Sequence, residues 1–262
     1  MDAKKRFGQH FLHDPAIGRA IVHLAGVAKG DAVLEIGPGH GALTQPLVEA
    51  GVRLTAFELD RDLLSGLQER FPSVEVRGQD AVDVDWPSIL PGSGWHVVAN
   101  LPYNVATPIV AQLLAHPGTF RRLTVMVQRE VADRIVAPPG SRIANRLGLY
   151  VDLRATSQVV MTLAPGAFRP PPKVHSAVVR LDLRPEPLGG EGVATRVETV
   201  ARWGYGARRK TLRNALRGVW DAEHVDAWLS QADVDGGQRA EALDRDAWLR
   251  LGRTMPADAP AR

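Results

Sequence analysis

Cysteine is absent from this chain of 262 residues. Without thiols, disulfides, thiolate metal sites and cysteine nucleophiles are excluded together. No apolar run reaches the roughly 18 residues needed to cross a bilayer, and the first residues lack the apolar core of a signal peptide. We therefore expect a soluble, cytoplasmic protein with no membrane segment.

The histidine pattern gives no support to a zinc site. The eight histidines are scattered along the chain, and none belongs to a His-Glu-x-x-His spacing. That spacing places two metal ligands on one face of a helix. We expect no metal, and surface or core positions for the histidines.

Basic side chains cluster in one short stretch, although the formal net charge is only +3. Arg208, Arg209, Lys210, Arg213 and Arg217 follow one another with no acidic residue between them. For any single one of them, an ordinary solvated position is an equally good interpretation. As a cluster they indicate a polyanionic partner.

Strand-like and helix-like spacings alternate through the first half of the chain. Residues 32–37 form a short apolar run that ends in glycine, 41–50 have helical spacing, and 53–60 are apolar again. The alternation continues to residue 128. This rhythm predicts parallel strands joined by right-handed helical crossovers in a doubly wound α/β sheet.

The pattern changes after residue 154. Two β-rich runs, 158–163 and 174–183, are joined by a proline-rich loop, and a hairpin-like pair at the sheet edge is the simplest interpretation. Residues 184–192 resemble a linker, and only helical periodicity follows. We therefore predict an α/β domain over 1–184 and a small all-helical domain over 185–262 with a disordered tail.

A glycine-rich turn, Glu35-Ile36-Gly37-Pro38-Gly39-His40-Gly41, follows the first strand of this sheet. Gly37 and Gly39 allow the backbone to approach a ligand closely. The third glycine comes one residue earlier than in the dinucleotide-binding fingerprint. With Glu35 before it, the turn is similar to the first motif of S-adenosylmethionine-dependent methyltransferases, and a merely tight turn is the alternative.

Carboxylates end the next two strands. Glu58 lies about 20 residues after the glycines, where a carboxylate can take both ribose hydroxyls of a nucleotide cofactor. Asp80 ends the following strand and can accept from the cofactor's adenine amine. Loop capping is the alternative for Asp80, because Asp83 and Asp85 lie nearby. Open α/β sheets bind ligands at the carboxyl ends of their strands, which favours a contact with the cofactor.

The fourth strand ends in Asn100-Leu101-Pro102-Tyr103. An adenine amine is a poor nucleophile because its lone pair is delocalised into the ring. The Asn100 side-chain oxygen and a backbone carbonyl beside Pro102 can each accept one N–H and turn the lone pair toward a methyl donor. Tyr103 can stack on the base. The alternative is a strand that ends at a proline turn, with Tyr103 as a core aromatic.

Six segments of the chain match one family jointly. They are Gly8-Gln9-His10-Phe11-Leu12, the turn at 35–41, the tetrapeptide at 100–103, Gln128-Arg129-Glu130-Val131-Ala132-Asp133-Arg134, Phe168-Arg169-Pro170-Pro171-Pro172-Lys173-Val174, and Arg208-Arg209-Lys210-Thr211-Leu212-Arg213-Asn214. The chain resembles the bacterial small-subunit (16S) ribosomal RNA adenine dimethyltransferases, which are related to the erythromycin-resistance RNA methylases. The resemblance extends from Lys5 to about Leu251.

This resemblance implies a Rossmann-like S-adenosylmethionine-dependent methyltransferase sheet with an added edge hairpin, followed by a small all-helical domain. The resemblance also implies that the first matching segment closes over the cofactor. Relatives often carry asparagine at the position of His10. The expected cofactor contacts are His10, Leu12, Glu35, Gly37, Gly39, Glu58, Asp80 and Asn100.

The resemblance also implies residues that face the RNA. Phe168 flanks the target base opposite Tyr103, with burial in the core as its competitor. The expected RNA contacts are Lys173, Arg208, Arg209, Lys210 and Arg213, with an ordinary surface lysine as the alternative for Lys173. One departure from the family is the glycine-containing run 203–207, which puts the start of the next helix in doubt.

The implied function is dimethylation of two adjacent adenines in the 3′-terminal hairpin loop of small-subunit RNA during ribosome biogenesis. We expect a monomer that acts on this RNA or on an immature 30S particle. Two alternatives stay open: methylation of large-subunit RNA as antibiotic resistance, and a non-catalytic assembly or RNA-binding factor. The segment 208–214 favours the maturation branch over the resistance branch.

Overall fold

The computed structural model describes residues 10–82, 84–207 and 209–260. Their contacts divide the chain into two compact units, the first up to Asp133 with Thr156–Pro185, the second Arg134–Ala155 with Glu186 onward. The predicted division, 1–184 and 185–262, differs from this in one segment. Residues 134–155 group with the C-terminal residues.

A seven-stranded sheet in the order β4-β3-β2-β5-β6-β9-β7 forms the centre of the first unit. The strands are β1 (Phe11–Leu12), β2 (Ala32–Ile36), β3 (Arg53–Phe57), β4 (Glu75–Arg77), β5 (Trp95–Asn100), β6 (Phe120–Gln128), β7 (Ala155–Leu163), β8 (Phe168–Arg169) and β9 (Ser176–Leu183). The five strands from β4 to β6 pair in parallel, and β9 joins β6 antiparallel. The predicted doubly wound sheet and its added edge pair are confirmed.

Helices alternate with these strands as far as α6, and the last four helices follow one another after β9. They are α1 (Pro15–Ala25), α2 (Thr44–Glu49), α3 (Arg61–Arg70), α4 (Trp86–Ile89), α5 (Ala106–Leu114), α6 (Arg129–Ile135), α7 (Arg146–Arg154), α8 (Glu191–Gly206), α9 (Leu212–Leu216), α10 (Ala222–Gln231) and α11 (Arg245–Thr254). In α1, the Asp14 side chain caps the first turn and Gly26, at φ 63°, ends the helix.

The strand order places a ligand crevice beside β2. All five residues of β2 are buried, as in a parallel strand that is covered on both faces. The chain leaves β2 for β3 and β4 on one side and then returns to pair β5 with its other side. The strand order reverses between β2 and β5, and open α/β sheets bind ligands outside the carboxyl ends of such strands.

A second, two-stranded sheet pairs β1 with β8 antiparallel. Phe11 lies opposite Arg169, and Leu12 lies opposite Phe168. The start of the described chain is therefore tied to the proline-rich loop that begins at Phe168.

The second unit is helical and has its own apolar core. Trp228, Trp248 and Leu251 are almost completely buried there. The same cluster includes Leu149 and Leu153 of α7. Their burial explains why residues 134–155 group with the C-terminal helices, a long-range contact that the sequence pattern does not reveal.

The glycine-containing run 203–207 completes a helix. It forms the last turn of α8, and α9 begins five residues later behind the Thr211 cap, whose hydroxyl accepts from the Asn214 N–H. A Cβ added at Gly204 would lie 3.1 Å from the Ala240 Cβ and 3.3 Å from the Leu212 Cδ1. The small residue at this position lets α8 pack closely against its neighbours.

None of the helices in the described residues is both long enough and apolar enough to cross a membrane. The same residues hold no group of three histidine or carboxylate side chains placed to bind a metal ion. His10 and His13, three positions apart, face different backbone carbonyls, those of Pro170 and Gly166.

Candidate active site

A cleft opens at the carboxyl ends of β2, β3, β4 and β5. The residues that line this cleft are His10, Phe11, Gly37, Gly39, Glu58, Leu59, Asp80, Val82, Asn100, Leu101, Pro102, Tyr103, Asn104 and Val105. The structure therefore brings together most of the residues predicted for the site, although they come from five separate parts of the sequence.

The glycine turn forms the floor of the cleft beside β2. Gly37 and Gly39 have φ values of 71° and 58°, a region that favours glycine. A Cβ added at Gly39 would lie 3.0 Å from two ring atoms of Phe11. The turn thus leaves backbone exposed to a ligand and allows the N-terminal segment to approach it.

Glu58, just beyond the end of β3, is a buried carboxylate held from two directions. Its Oε2 accepts from the Gly39 N–H at 3.1 Å, and its Oε1 accepts from the Asp60 N–H at 2.9 Å. Burial raises the pKa of Glu58 above its ordinary value, and these backbone hydrogen bonds oppose the rise. The carboxylate is therefore fixed in orientation, with further lone pairs for the hydroxyls of a ligand.

Glu35 lies beneath the turn rather than in the cleft. It is 1% exposed, and its Oε2 accepts from the Thr44 hydroxyl at 2.7 Å. Burial, helped by the charge of Glu58, raises the pKa of Glu35 to about 8. Glu35 borders a smaller cavity that it shares with Gly37, Gly39 and Asn100. Its hydrogen bond therefore connects Glu35 to the first residue of α2, outside the lining of the cleft.

Asp80 follows β4 and fits both interpretations of its sequence position. Its Oδ1 accepts from the Val82 N–H at 2.9 Å, which caps the local loop. The residue also lines the cleft. Capping and ligand contact are compatible here, because a carboxylate has lone pairs for both.

Two apolar residues that the sequence analysis missed also line the cleft. Leu59 is 49% exposed and Val82 is 38% exposed. Leu59 directly follows Glu58, and Val82 comes shortly after Asp80. Both acidic residues lie just beyond the end of a strand. A single apolar residue in a loop carries no pattern, so only the fold reveals that these two residues line the cleft.

The Asn100–Tyr103 tetrapeptide lines the cleft where β5 ends. The Asn100 Nδ2 donates to the His10 backbone carbonyl at 3.0 Å, and the Leu101 N–H donates to the Met126 carbonyl at 3.2 Å. The Pro102 carbonyl accepts from the Val105 N–H at 3.1 Å. Since the amide nitrogen of Asn100 already has an acceptor, its Oδ1 is the atom left to accept from a substrate.

Tyr103 is half-buried and is held at both its hydroxyl and its ring. Its hydroxyl lies 2.6 Å from the Ser176 Oγ, and burial raises the pKa of the phenol. The His10 ring stacks on it with a centroid distance of 5.4 Å. Ser176 is a supporting residue that the sequence analysis missed, because it reaches Tyr103 only through the pairing of β9 with β6.

Besides Glu35, two of the residues expected in the site lie outside the lining of the cleft. Phe168 is 1% exposed and lies in an apolar core cluster, outside the lining of the cleft. Leu12 belongs to the same cluster and borders the smaller cavity instead of the cleft. The pairing of β1 with β8 places Leu12 and Phe168 opposite each other, and both contribute to the core. Phe168 is thus buried, and its contact with the target base stays a prediction.

The expected RNA contacts differ in how free their charges are. Lys173 is exposed in the first unit, and Arg209 and Lys210 are exposed in the second. Arg213 and Arg217, in contrast, both pair with Asp226 of α10, with Arg213 Nε 3.2 Å from its Oδ1. Arg208 lies outside the described residues. The basic cluster is thus partly neutralised by an acid that is distant in sequence.

Rossmann-like methyltransferases combine a doubly wound sheet with a glycine turn after the first parallel strand, and here Asn100 lines the same cleft as that turn. The fold and the cleft assign the chain to that class. The model of the family described as ribosomal RNA adenine dimethylase matches residues 1–255. The chain belongs to this family.

Relatives and solved structures agree with this membership. Proteins named ribosomal RNA small subunit methyltransferase A are 40% identical in Pseudomonas putida, over 95% of this chain and 93% of that protein, and 42% identical in Thermosynechococcus vestitus, over 97% of both. The crystal structure of the 23S rRNA methyltransferase ErmE superposes with a TM-score of 0.73 and 28% identity, covering 94% of this chain and 99% of that one. A dimethyladenosine transferase from Plasmodium falciparum gives 0.76 and 25%, covering 92% and 96%.

Proposed function

We propose that this chain transfers methyl groups from S-adenosylmethionine to the exocyclic amines of two adjacent adenines in the 3′-terminal hairpin loop of small-subunit ribosomal RNA. The observation that carries the proposal is the orientation of Asn100, whose amide nitrogen is held by the His10 carbonyl at 3.0 Å. An oxygen fixed in this way is suited to accept one N–H of an adenine amine.

The cleft fits the cofactor. The glycines at 37 and 39 keep the turn free of side chains on the side that lines the cleft, and a Cβ at Gly39 would press on the Phe11 ring. Two backbone N–H groups already hold the Glu58 carboxylate in place. It would accept from the ribose hydroxyls of the cofactor. Asp80 would accept from the adenine amine, and Leu59 and Val82 would provide apolar contacts for its ring. When bound, S-adenosylmethionine supplies a methyl group activated by a sulfonium.

The protein's own contribution is to position the target amine. The Asn100 Oδ1 accepts one N–H, and the Leu101 carbonyl, beside Pro102, is the backbone acceptor for the other. Two acceptors at fixed positions turn the nitrogen lone pair toward the methyl group, which lowers the barrier through orientation and electrostatics. Tyr103 provides the stacking surface for the base.

Proton removal needs no side-chain base in this scheme. The amine becomes acidic only once it has been methylated, and the proton then passes to water. A loop adenine is also an accessible target, because unstacked bases can enter a pocket without melting a duplex.

The exposed cations supply the affinity for RNA. Lys173, Arg209 and Lys210 can contact phosphates, and each such contact releases counterions. This electrostatic component does not read sequence, so the choice of adenine depends on the cleft and on the shape of the hairpin.

A labelling experiment tests the target. The protein is incubated with radiolabelled S-adenosylmethionine and unmethylated small ribosomal subunits, and separately with large subunits, and the label is mapped. We expect dimethyladenine at two adjacent positions in the 3′-terminal hairpin of the small subunit. Label confined to the large subunit would favour the activity named for the structural relative ErmE, and label in neither would contradict the proposal.

A further inference from the structure

The imidazole of His10 covers one face of the Tyr103 ring. The two rings are stacked, with centroids 5.4 Å apart and an interplanar angle of 28°. His10 Nδ1 also lies 2.8 Å from the Pro170 carbonyl of the proline-rich loop. The side chain is thus held in place by a ring contact and a hydrogen bond, in the cleft that both residues line.

The spacing of these rings leaves no room for a base between them. Carbon atoms in contact lie about 3.5–4.0 Å apart, so a planar base between two parallel rings requires a separation of about 7 Å. The observed 5.4 Å is too short. A base that stacks on this face of Tyr103 must therefore replace the imidazole.

We propose that His10 is a positioning residue that covers the stacking face of Tyr103 until the target adenine displaces it. This inference rests on the proposed function, in which Tyr103 stacks on that adenine. The imidazole is a small aromatic ring that occupies the place of the larger adenine ring. The pocket therefore keeps its shape in the absence of RNA.

The displacement requires only a side-chain rotation. The backbone next to His10 is held in place, because Phe11 and Leu12 pair with β8. The His10 carbonyl accepts from Asn100 and belongs to the same fixed backbone. Asn100 therefore keeps its orientation while the ring moves away, and the entry of the base does not disturb the acceptor that receives its amine.

Competition between the imidazole and the base predicts a specific kinetic effect. The contact with Tyr103 must be lost before the adenine can stack, so removing the ring strengthens binding of the target base. Aromatic pairs are worth about 0.5–1.5 kcal/mol, which corresponds to about a two- to tenfold change.

Three variants separate the ring from the hydrogen bond. His10→Ala removes both, His10→Asn keeps a donor for the Pro170 carbonyl without a ring, and His10→Phe keeps a ring without the donor. Steady-state methylation of unmethylated small subunits is measured for each, together with binding of S-adenosylmethionine and the melting temperature. We expect KM for the subunit to fall about two- to tenfold in His10→Ala and His10→Asn, and to stay near the wild-type value in His10→Phe.

A second measurement reports on the base itself. A hairpin RNA with 2-aminopurine at the target position loses fluorescence when the base stacks on Tyr103, and no methyl transfer is needed. We expect quenching at lower protein concentration for the two variants without a ring. Unchanged or higher KM in both of them, in folded protein that binds the cofactor, would overturn the inference. Wild-type protein that methylates no subunit would instead contradict the proposed function.

Discussion

Asn100 and His10 are joined by a hydrogen bond in which the Asn100 Nδ2 donates to the His10 backbone carbonyl at 3.0 Å. A carbonyl oxygen only accepts, so this contact determines which end of the carboxamide is the nitrogen. In the proposed function, the side-chain oxygen accepts from the target amine. The orientation of the acceptor depends on a residue 90 positions earlier in the chain.

Replacing the amide of Asn100 with a carboxylate tests this orientation. In Asn100→Asp no atom can donate to the His10 carbonyl, so the side chain loses its fixed direction although it can still accept. We expect methyl transfer to fall by about 10²- to 10³-fold, as when one positioned polar group is removed from an active site. Single-turnover incorporation of labelled methyl groups measures the effect.

The surface change Gln68→Glu is the matched control for Asn100→Asp, because it also converts an amide to a carboxylate, on the exposed face of α3. It should leave the rate unchanged. A rate for Asn100→Asp within threefold of the control would show that the orientation of the amide does not matter.

Stability should depend on pH through Glu35. Burial raises the pKa of Glu35 from 4.5 to about 8. Between these two values the folded protein binds a proton that the unfolded chain has already lost, so this group lowers the free energy of unfolding as pH rises through the window. The slope is at most about 1.4 kcal/mol per pH unit.

The variant Glu35→Gln removes that titration and keeps the volume of the side chain. Denaturant unfolding of both proteins from pH 5 to pH 8 is the measurement. We expect the wild-type protein to lose stability relative to Glu35→Gln as pH rises. Parallel stability curves would mean that the carboxyl is already charged in the folded state.

The basic cluster should contribute unevenly to RNA binding. Arg209 and Lys210 are exposed and have no partner among the described residues, whereas Arg213 and Arg217 share Asp226. We expect Lys210→Ala to weaken RNA binding and to reduce the slope of log affinity against log salt by about 0.7–0.9. Arg217→Ala should reduce the slope less, because this guanidinium already has a counter-charge. Filter binding at four salt concentrations distinguishes the two, and equal slopes for both variants would contradict this ranking.

The sequence predicted the parts of the site that depend on local pattern. The glycine turn, Glu58 and the Asn100–Tyr103 tetrapeptide each end a strand of regular spacing, and parallel strands bring their carboxyl ends to one edge. Contacts between residues that are distant in sequence could not be predicted from such patterns. The supporting contact of Ser176 with Tyr103 depends on strand pairing, and the neutralisation by Asp226 depends on how α9 and α10 pack. No periodicity encodes either relationship.

Phe168 shows the same limit for a single residue. An aromatic beside a proline-rich loop fits both a base-stacking wall and a core position, and the sequence offers no means to choose. The pairing of Leu12 with Phe168 places both side chains in an apolar cluster, a contact between residues that are distant in sequence.

The space around the target amine should decide how many methyl groups are added. Dimethylation requires the cleft to accept a methyl group where a hydrogen was, and Tyr103 lines that space. We expect Tyr103→Trp, which enlarges the stacking ring, to accumulate monomethyladenine. Phe168→Leu should lower the melting temperature by a few degrees, because a buried side chain loses volume at a cost of roughly 1–2 kcal/mol, and should leave the ratio of products unchanged. Mass spectrometry of digested small-subunit RNA measures that ratio. Monomethyladenine in Phe168→Leu but not in Tyr103→Trp would place Phe168 at the target base and reverse the roles that the structure gives these two rings.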